Sequence, residues 1–156
     1  MKPRLDSTKA AQAAPDAMKA LWALECAIQK SGLERCLINL VKIRASQING
    51  CAFCIHMHTR EAREHGETEE RIYLLDAWRD SPLYSERERA ALAWTEAVTL
   101  VAQTHVPDEV FETVAGQFSE DEIAKLTLLV GTINMWNRIA ISFRSVHAAE
   151  VELVQT

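Results

Sequence analysis

Two Ser-x-x-Glu patterns constrain the fold most strongly, because each is typical of the start of an α-helix. Ser85-Glu-Arg-Glu88 and Ser119-Glu-Asp-Glu122 form capping boxes, in which the serine and glutamate side chains bind free backbone amides at a helix N-terminus. Strand signals are nearly absent, and glycine and proline, at five and four residues, are scarce. The chain is therefore predicted to be all-α.

Further start and stop signals divide the chain into a compact bundle of six to eight helices. The predicted segments are 15–32, 33–47, 51–65, 68–78, a helix from 85, 108–117 and 120–144, with Gly66 as a left-handed stop after the third. A length of 156 residues suits one domain, and no linker interrupts the chain. We predict a single domain over residues 1–156 with its functional core at 40–66.

Charge and hydropathy exclude several classes of function. The net charge is -5 and the pI is about 5.5, which argues against nucleic-acid binding as the main task. No apolar run approaches the roughly 20 residues of a membrane span, and the N-terminus lacks the apolar region of a signal peptide. We therefore predict a cytoplasmic protein, in which a Cys-x-x-Cys pair is more often catalytic or metal-binding than a permanent bridge.

The chemistry of the chain is concentrated in the stretch NGCAFCIHMHT, residues 49–59. A zinc site is disfavoured, because one straight helix does not readily wrap Cys51, Cys54, His56 and His58 around a single ion. A haem attachment site is excluded by spacing, since Ile55 separates the second cysteine from the first histidine.

A redox pair fits the stretch better. At a helix start, free N–H groups and the helix dipole stabilise a thiolate, and His58 lies one turn after Cys54 on the same face, where it can relay a proton. A purely structural pair of buried thiols remains an alternative. The isolated cysteines Cys26 and Cys36 are interpreted as core residues.

The longer run LVKIRASQINGCAFCIHMHT, residues 40–59, resembles the core of AhpD-like alkylhydroperoxidases of the carboxymuconolactone decarboxylase superfamily. Similar segments are AREHGETEER at 62–71, SERERAALAWTE at 85–96 and INMWNRIA at 133–140, so the resemblance covers most of the chain. It implies an all-α, AhpD-like helical bundle that assembles as homo-trimers or homo-hexamers.

The resemblance also implies the chemistry and the site residues. The implied activity is a thiol-dependent peroxidase of antioxidant defence. Cys54 would attack the peroxide and become a sulfenate, Cys51 would close the disulfide, and His58 would transfer the protons.

Two positions depart from the family pattern. The family's relay glutamate falls at Asn39, which cannot ionise, and Phe53 stands where well-studied members have a histidine. Glu96, an acid in an otherwise apolar helix, is a candidate replacement in the catalytic set. The alternative is that Glu96 pairs with an arginine such as Arg44.

Three functions stay open at this point. The leading one is a peroxidase acting on hydrogen peroxide or organic hydroperoxides. It needs an external dithiol reductant protein, because the sequence has no flavin or nicotinamide fingerprint and no bound cofactor or metal is expected. The others are a carboxymuconolactone decarboxylase-like lyase and a non-enzymatic, redox-sensing oligomer.

Overall fold

The computed structural model of the protein describes residues 2–147, apart from the side chains of residues 7 and 8, and contains no strand within that range. Its α-helices are α1 (Ser7–Ala13), α2 (Pro15–Gln29), α3 (Arg35–Asn49), α4 (Ala52–Glu64), α5 (Glu69–Leu74), α6 (Glu86–Thr99), α7 (Val101–Thr104), α8 (Asp108–Ala115) and α9 (Glu120–Phe143). The predicted all-α class is thus confirmed over the described residues. The predicted single domain extends over residues 148–156, which lie outside the described residues.

The described residues form more helices than the six to eight predicted, because the sequence patterns did not predict two short ones. Helix α1 precedes the proline that marks the predicted first helix, and α7 is a single turn at the end of α6. The predicted helix over 68–78 is α5 followed by a 3-10 turn, Leu75–Ala77.

The start and stop signals work as predicted. Ser85 and Ser119 accept from the amides of Glu88 and Glu122 at 3.3 Å each, and both glutamates bind back to the serine amides. Gly66 has a φ of 91°, the left-handed conformation expected of a helix stop.

Helix α3 forms the centre of the bundle and packs against α4, α6 and α9. Its residues Leu40, Val41 and Ile43 are fully buried. On α9, Leu126 and Leu129 are buried to the same extent. Burying each such side chain contributes about 1.5–3 kcal/mol, so this packing holds α3, and with it the start of the cysteine stretch, against α9.

The prediction that Cys26 and Cys36 are core residues is wrong, since both are exposed. On α2 the buried residues are Glu25 and Ile28, and Cys26 is turned about 100° away from Glu25 around the helix axis. On α3 the first turn buries Leu37 and leaves Cys36 outside.

Within residues 2–147, no helix combines the length and the apolar character needed to cross a membrane.

Candidate active site

The two cysteines lie where α3 turns into α4. Gly50 adopts a left-handed φ of 70° and ends α3, so the chain reverses and Cys51 becomes the N-cap of α4. Cys51 and Cys54 are joined by a disulfide, with their Cα atoms 5.4 Å apart, and the amide of Cys54 donates to Sγ of Cys51 at 3.3 Å. Both sulfurs therefore lie at the positive end of a helix, where a thiolate is stabilised after reduction.

A partly buried amide network holds this turn against α9. The side chain of Asn49 donates to Oδ1 of Asn134 at 3.0 Å and to Oδ1 of Asn137 at 2.8 Å. Asn137 in turn donates to Oγ of Ser46 at 3.0 Å. Asn49 thus anchors the cysteine turn to a helix about 85 residues later.

Cys54 opens onto a cavity of about 430 Å³ between α1, α2, α4 and α9. Its wall is largely apolar and consists of Ala10, Ala11, Met18, Trp22, Phe53, Met57, Trp136, Ile139, Ala140 and Phe143, together with Glu25, Lys42, His58, Glu61 and Ser145. The rings of Trp22 and Trp136 lie 5.2 Å apart. A compact organic molecule fits such a space beside the sulfur.

His58 shares this cavity and lies one turn after Cys54 on α4. Its side chain is buried, and Nδ1 lies 3.0 Å from Oε2 of Glu61. The hydrogen bond from His58 outweighs burial and lowers the pKa of Glu61. An ionised Glu61 accepts from Nδ1–H, which leaves Nε2 as the nitrogen that can take a proton from a thiol.

A buried ion pair between Glu25 of α2 and Lys42 of α3 forms another part of the cavity wall. Burial alone would raise the pKa of Glu25, but the hydrogen bonds and charge of Lys42, with Gln29 and His58, lower it. Sequence reasoning missed both residues. The available signal was a charged side chain inside an apolar helical stretch, which also singled out Glu96.

The structure brings Cys51, Cys54 and His58 together and leaves Glu96 outside the cavity. Glu96 accepts from Nε of Arg44 and Nε1 of Trp78, each at 2.8 Å, and pairs with Arg79. Burial alone would raise the pKa of Glu96, but these three partners lower it. The alternative prediction, a pairing of Glu96 with Arg44, describes the contact that is present.

Asn39 also lies away from the cavity. Its amide nitrogen is 3.1 Å from Nδ1 of His65, the residue that caps the end of α4. Phe53, by contrast, lines the cavity. Within residues 2–147, no three His, Cys, Asp or Glu side chains come together in a way that could hold a metal ion.

Comparison with known proteins finds a matching family model and a related sequence. The model of the carboxymuconolactone decarboxylase family matches residues 15–97. The uncharacterized protein YdfG of Bacillus subtilis is 46% identical over 129 residues, which is 83% of this chain and 88% of YdfG.

Solved structures show the same fold. ATU0492 of Agrobacterium tumefaciens, a protein of unknown function provisionally assigned to the AhpD antioxidant-defence proteins, has a TM-score of 0.91 and 52% identity, covering 96% of this chain and 100% of ATU0492. The debrominase Bmp8 is 23% identical with a TM-score of 0.79, covering 86% of this chain and 73% of Bmp8.

Proposed function

This chain is an AhpD-like member of the carboxymuconolactone decarboxylase family, and from that premise we propose that it is a thiol-dependent peroxidase. Its substrates are hydrogen peroxide or organic hydroperoxides, and Cys51 and Cys54 carry the redox chemistry. One observation supports this most: Cys54, which forms a pair with Cys51 at a helix start, shares a cavity with a buried histidine whose Nδ1 is held by a carboxylate.

The reaction begins with the reduced pair. Nε2 of His58 takes the proton of the Cys54 thiol, and the thiolate attacks the terminal oxygen of the hydroperoxide. The O–O bond breaks, Cys54 becomes a sulfenic acid, and the alkoxide takes the proton from the His58 imidazolium. The sulfur is oxidised by two electrons, and an organic hydroperoxide is reduced to an alcohol or hydrogen peroxide to water.

The second half closes the bond that joins Cys51 to Cys54. The thiol of Cys51 attacks the sulfenic sulfur and water leaves. The amide contact from Cys54 to Sγ of Cys51 keeps the two side chains within reach for this step. An external dithiol protein then reduces the disulfide by thiol exchange.

We also propose that the protein works as a homo-oligomer in the cytoplasm. Large apolar side chains are exposed on α9, where Leu128 and Met135 are 54% and 51% exposed. Residues 128 and 135 are two helical turns apart and lie on one face, which suits contact with another copy.

The test is consumption of hydrogen peroxide and of cumene hydroperoxide with dithiothreitol as the donor. The parent protein should turn over, and Cys54→Ser should abolish turnover. Peroxide consumption that survives replacement of both cysteines would contradict the cysteine-pair mechanism, and a parent without turnover would remove the peroxidase proposal.

A further inference from the structure

The two ring nitrogens of His58 have different surroundings. Nδ1 lies 3.0 Å from Oε2 of Glu61. Nε2 has no hydrogen-bond partner among the described residues and keeps some accessible surface. The side chain of His58 is only 5% exposed and lines the Cys54 cavity, so that surface faces the cavity. Nε2 is therefore the nitrogen that the Cys54 thiol or a cavity ligand can meet.

Glu61, the partner of Nδ1, lies three residues later on α4 and belongs to the same cavity wall. Its side chain is 33% exposed, so water reaches the carboxylate. A surface pair at this spacing contributes only about 0.2–0.5 kcal/mol to a helix. The fold therefore depends little on this contact, and its main effect is on the state of the His58 ring.

The carboxylate of Glu61 is a charged acceptor at neutral pH. The hydrogen bond with His58 has the largest effect on the pKa of Glu61 and lowers it, and the positive charge of Lys42 lowers it further, against the opposing effect of burial. An ionised carboxylate accepts hydrogen bonds and donates none, so the shared hydrogen belongs to Nδ1. The neutral ring then has Nε2 free of hydrogen, and the carboxylate stabilises the imidazolium that forms when Nε2 takes a proton.

We propose that Glu61 is the positioning residue of the reaction, which holds Nδ1–H of His58 so that Nε2 stays free to take the thiol proton of Cys54. As a statement about the rate, this rests on the proposed peroxidase function. Nε2 receives the thiol proton and later gives it to the alkoxide. Glu61 keeps its charge through both transfers, and no bond is made or broken at its carboxylate.

The other acidic side chains near the site have different partners. Glu25, the second acid of the cavity wall, accepts from Lys42 and Gln29. Glu96 lies outside the cavity, where it pairs with Arg44 and Arg79. Among the described residues, the carboxylate that contacts the ring of His58 is thus supplied by the same helix, one turn after the histidine.

Nitrogen-15 NMR of the His58 ring tests this contact directly, because the resonance of each ring nitrogen depends strongly on whether it carries a hydrogen. In the oxidised parent protein, at a pH where the ring is neutral, the hydrogen should be on Nδ1. Glu61→Ala should move it largely to Nε2, the form that predominates in free histidine. The spectrum of His58→Gln identifies the His58 signals. A parent ring with its hydrogen on Nε2, or a Glu61→Ala ring unchanged from the parent, would overturn the inference.

Peroxide reduction gives a second measurement. Glu61→Ala should lower kcat about tenfold or more with little change in KM, which is a part of the total of about 10²–10⁴-fold that a positioned acid–base contributes. Glu61→Gln offers an amide oxygen without the charge, so it should lose less than Glu61→Ala. A folded Glu61→Ala protein with the kcat of the parent would contradict the positioning role.

The matched control is Glu64→Ala, which removes an exposed carboxylate from the same helix. It should leave both kcat and the His58 spectrum as they are in the parent. Circular dichroism checks that each variant is folded. If the Glu61 variants do not fold, the ring spectrum of the parent still decides which nitrogen carries the hydrogen.

The ring spectrum and the turnover are measured separately, so this inference and the proposed function can fail separately. Peroxide turnover in a parent whose His58 ring does not respond to Glu61 would contradict the role of Glu61 alone. A ring that depends on Glu61 in a protein without turnover would contradict the peroxidase alone.

Discussion

Lys42 of α3 forms an ion pair with Glu25 of α2 at the wall of the cavity that Cys54 lines. Their side chains are 3% and 11% exposed, so both charges are largely removed from water. The pair joins the central helix to the helix that covers the cavity, and it puts a charged carboxylate beside the redox site.

Removing one member of this pair should destabilise the fold. Lys42→Met leaves the charge of Glu25 buried and uncompensated, which costs about 3–5 kcal/mol. The double variant Lys42→Met/Glu25→Leu should recover most of that loss, because two apolar side chains of similar volume need no partner. Urea denaturation measures the free energy of unfolding of both variants. A Lys42→Met protein as stable as the parent would show that the ion pair contributes little to stability.

Blocking the second half-reaction should trap Cys54. In Cys51→Ser the sulfenic acid formed by one equivalent of hydrogen peroxide has no resolving thiol, so the protein should gain one oxygen atom and react with dimedone at Cys54. Cys26 and Cys36 are exposed and are first replaced by serine to remove their background. The matched control is Cys54→Ser in the same background. The assigned order of the two cysteines would be reversed if dimedone labelled Cys51 in that control and did not label Cys54 in Cys51→Ser.

Loss of Glu96 should lower the stability of the fold, whereas loss of His58 should slow peroxide reduction. Glu96→Gln weakens contacts to Arg44, Trp78 and Arg79 and should lower the free energy of unfolding by about 1–3 kcal/mol, while the folded protein keeps its turnover rate. His58→Gln should keep the fold and slow peroxide reduction about 10²–10⁴-fold, the usual contribution of a general acid–base. A folded Glu96→Gln that loses turnover would return Glu96 to the mechanism.

Two glycines offer a matched pair of alanine substitutions. Gly50 has a φ of 70° and nothing within 4 Å of an added Cβ, so Gly50→Ala should cost about 1–2 kcal/mol through backbone strain alone. Gly131 lies inside α9 with equally open space, so Gly131→Ala should stabilise by up to about 1 kcal/mol. Thermal unfolding compares them, and a loss of similar size in both would point to crowding, not backbone conformation.

Local signals in the sequence were enough to predict the helical class and the main helix ends. The serine–glutamate boxes at Ser85 and Ser119 and the stop at Gly66 depend on neighbours three or four positions away, which a sequence displays directly. The grouping of Cys51, Cys54 and His58 follows for the same reason, because all three belong to one turn and one helix.

Tertiary structure decided everything that depends on contacts between distant segments. The sequence could not tell that Glu96 is engaged by three side chains, that Cys26 is exposed, or that Glu25 and Lys42 border the cavity, because each depends on which face of a helix meets another helix. A charged residue within an apolar helix looks the same whether it is bound, as Glu96 is, or has an oxygen left free, as Glu25 does. The packing of α2 on α3 and α9 makes that distinction, since it determines which partners come within hydrogen-bonding distance.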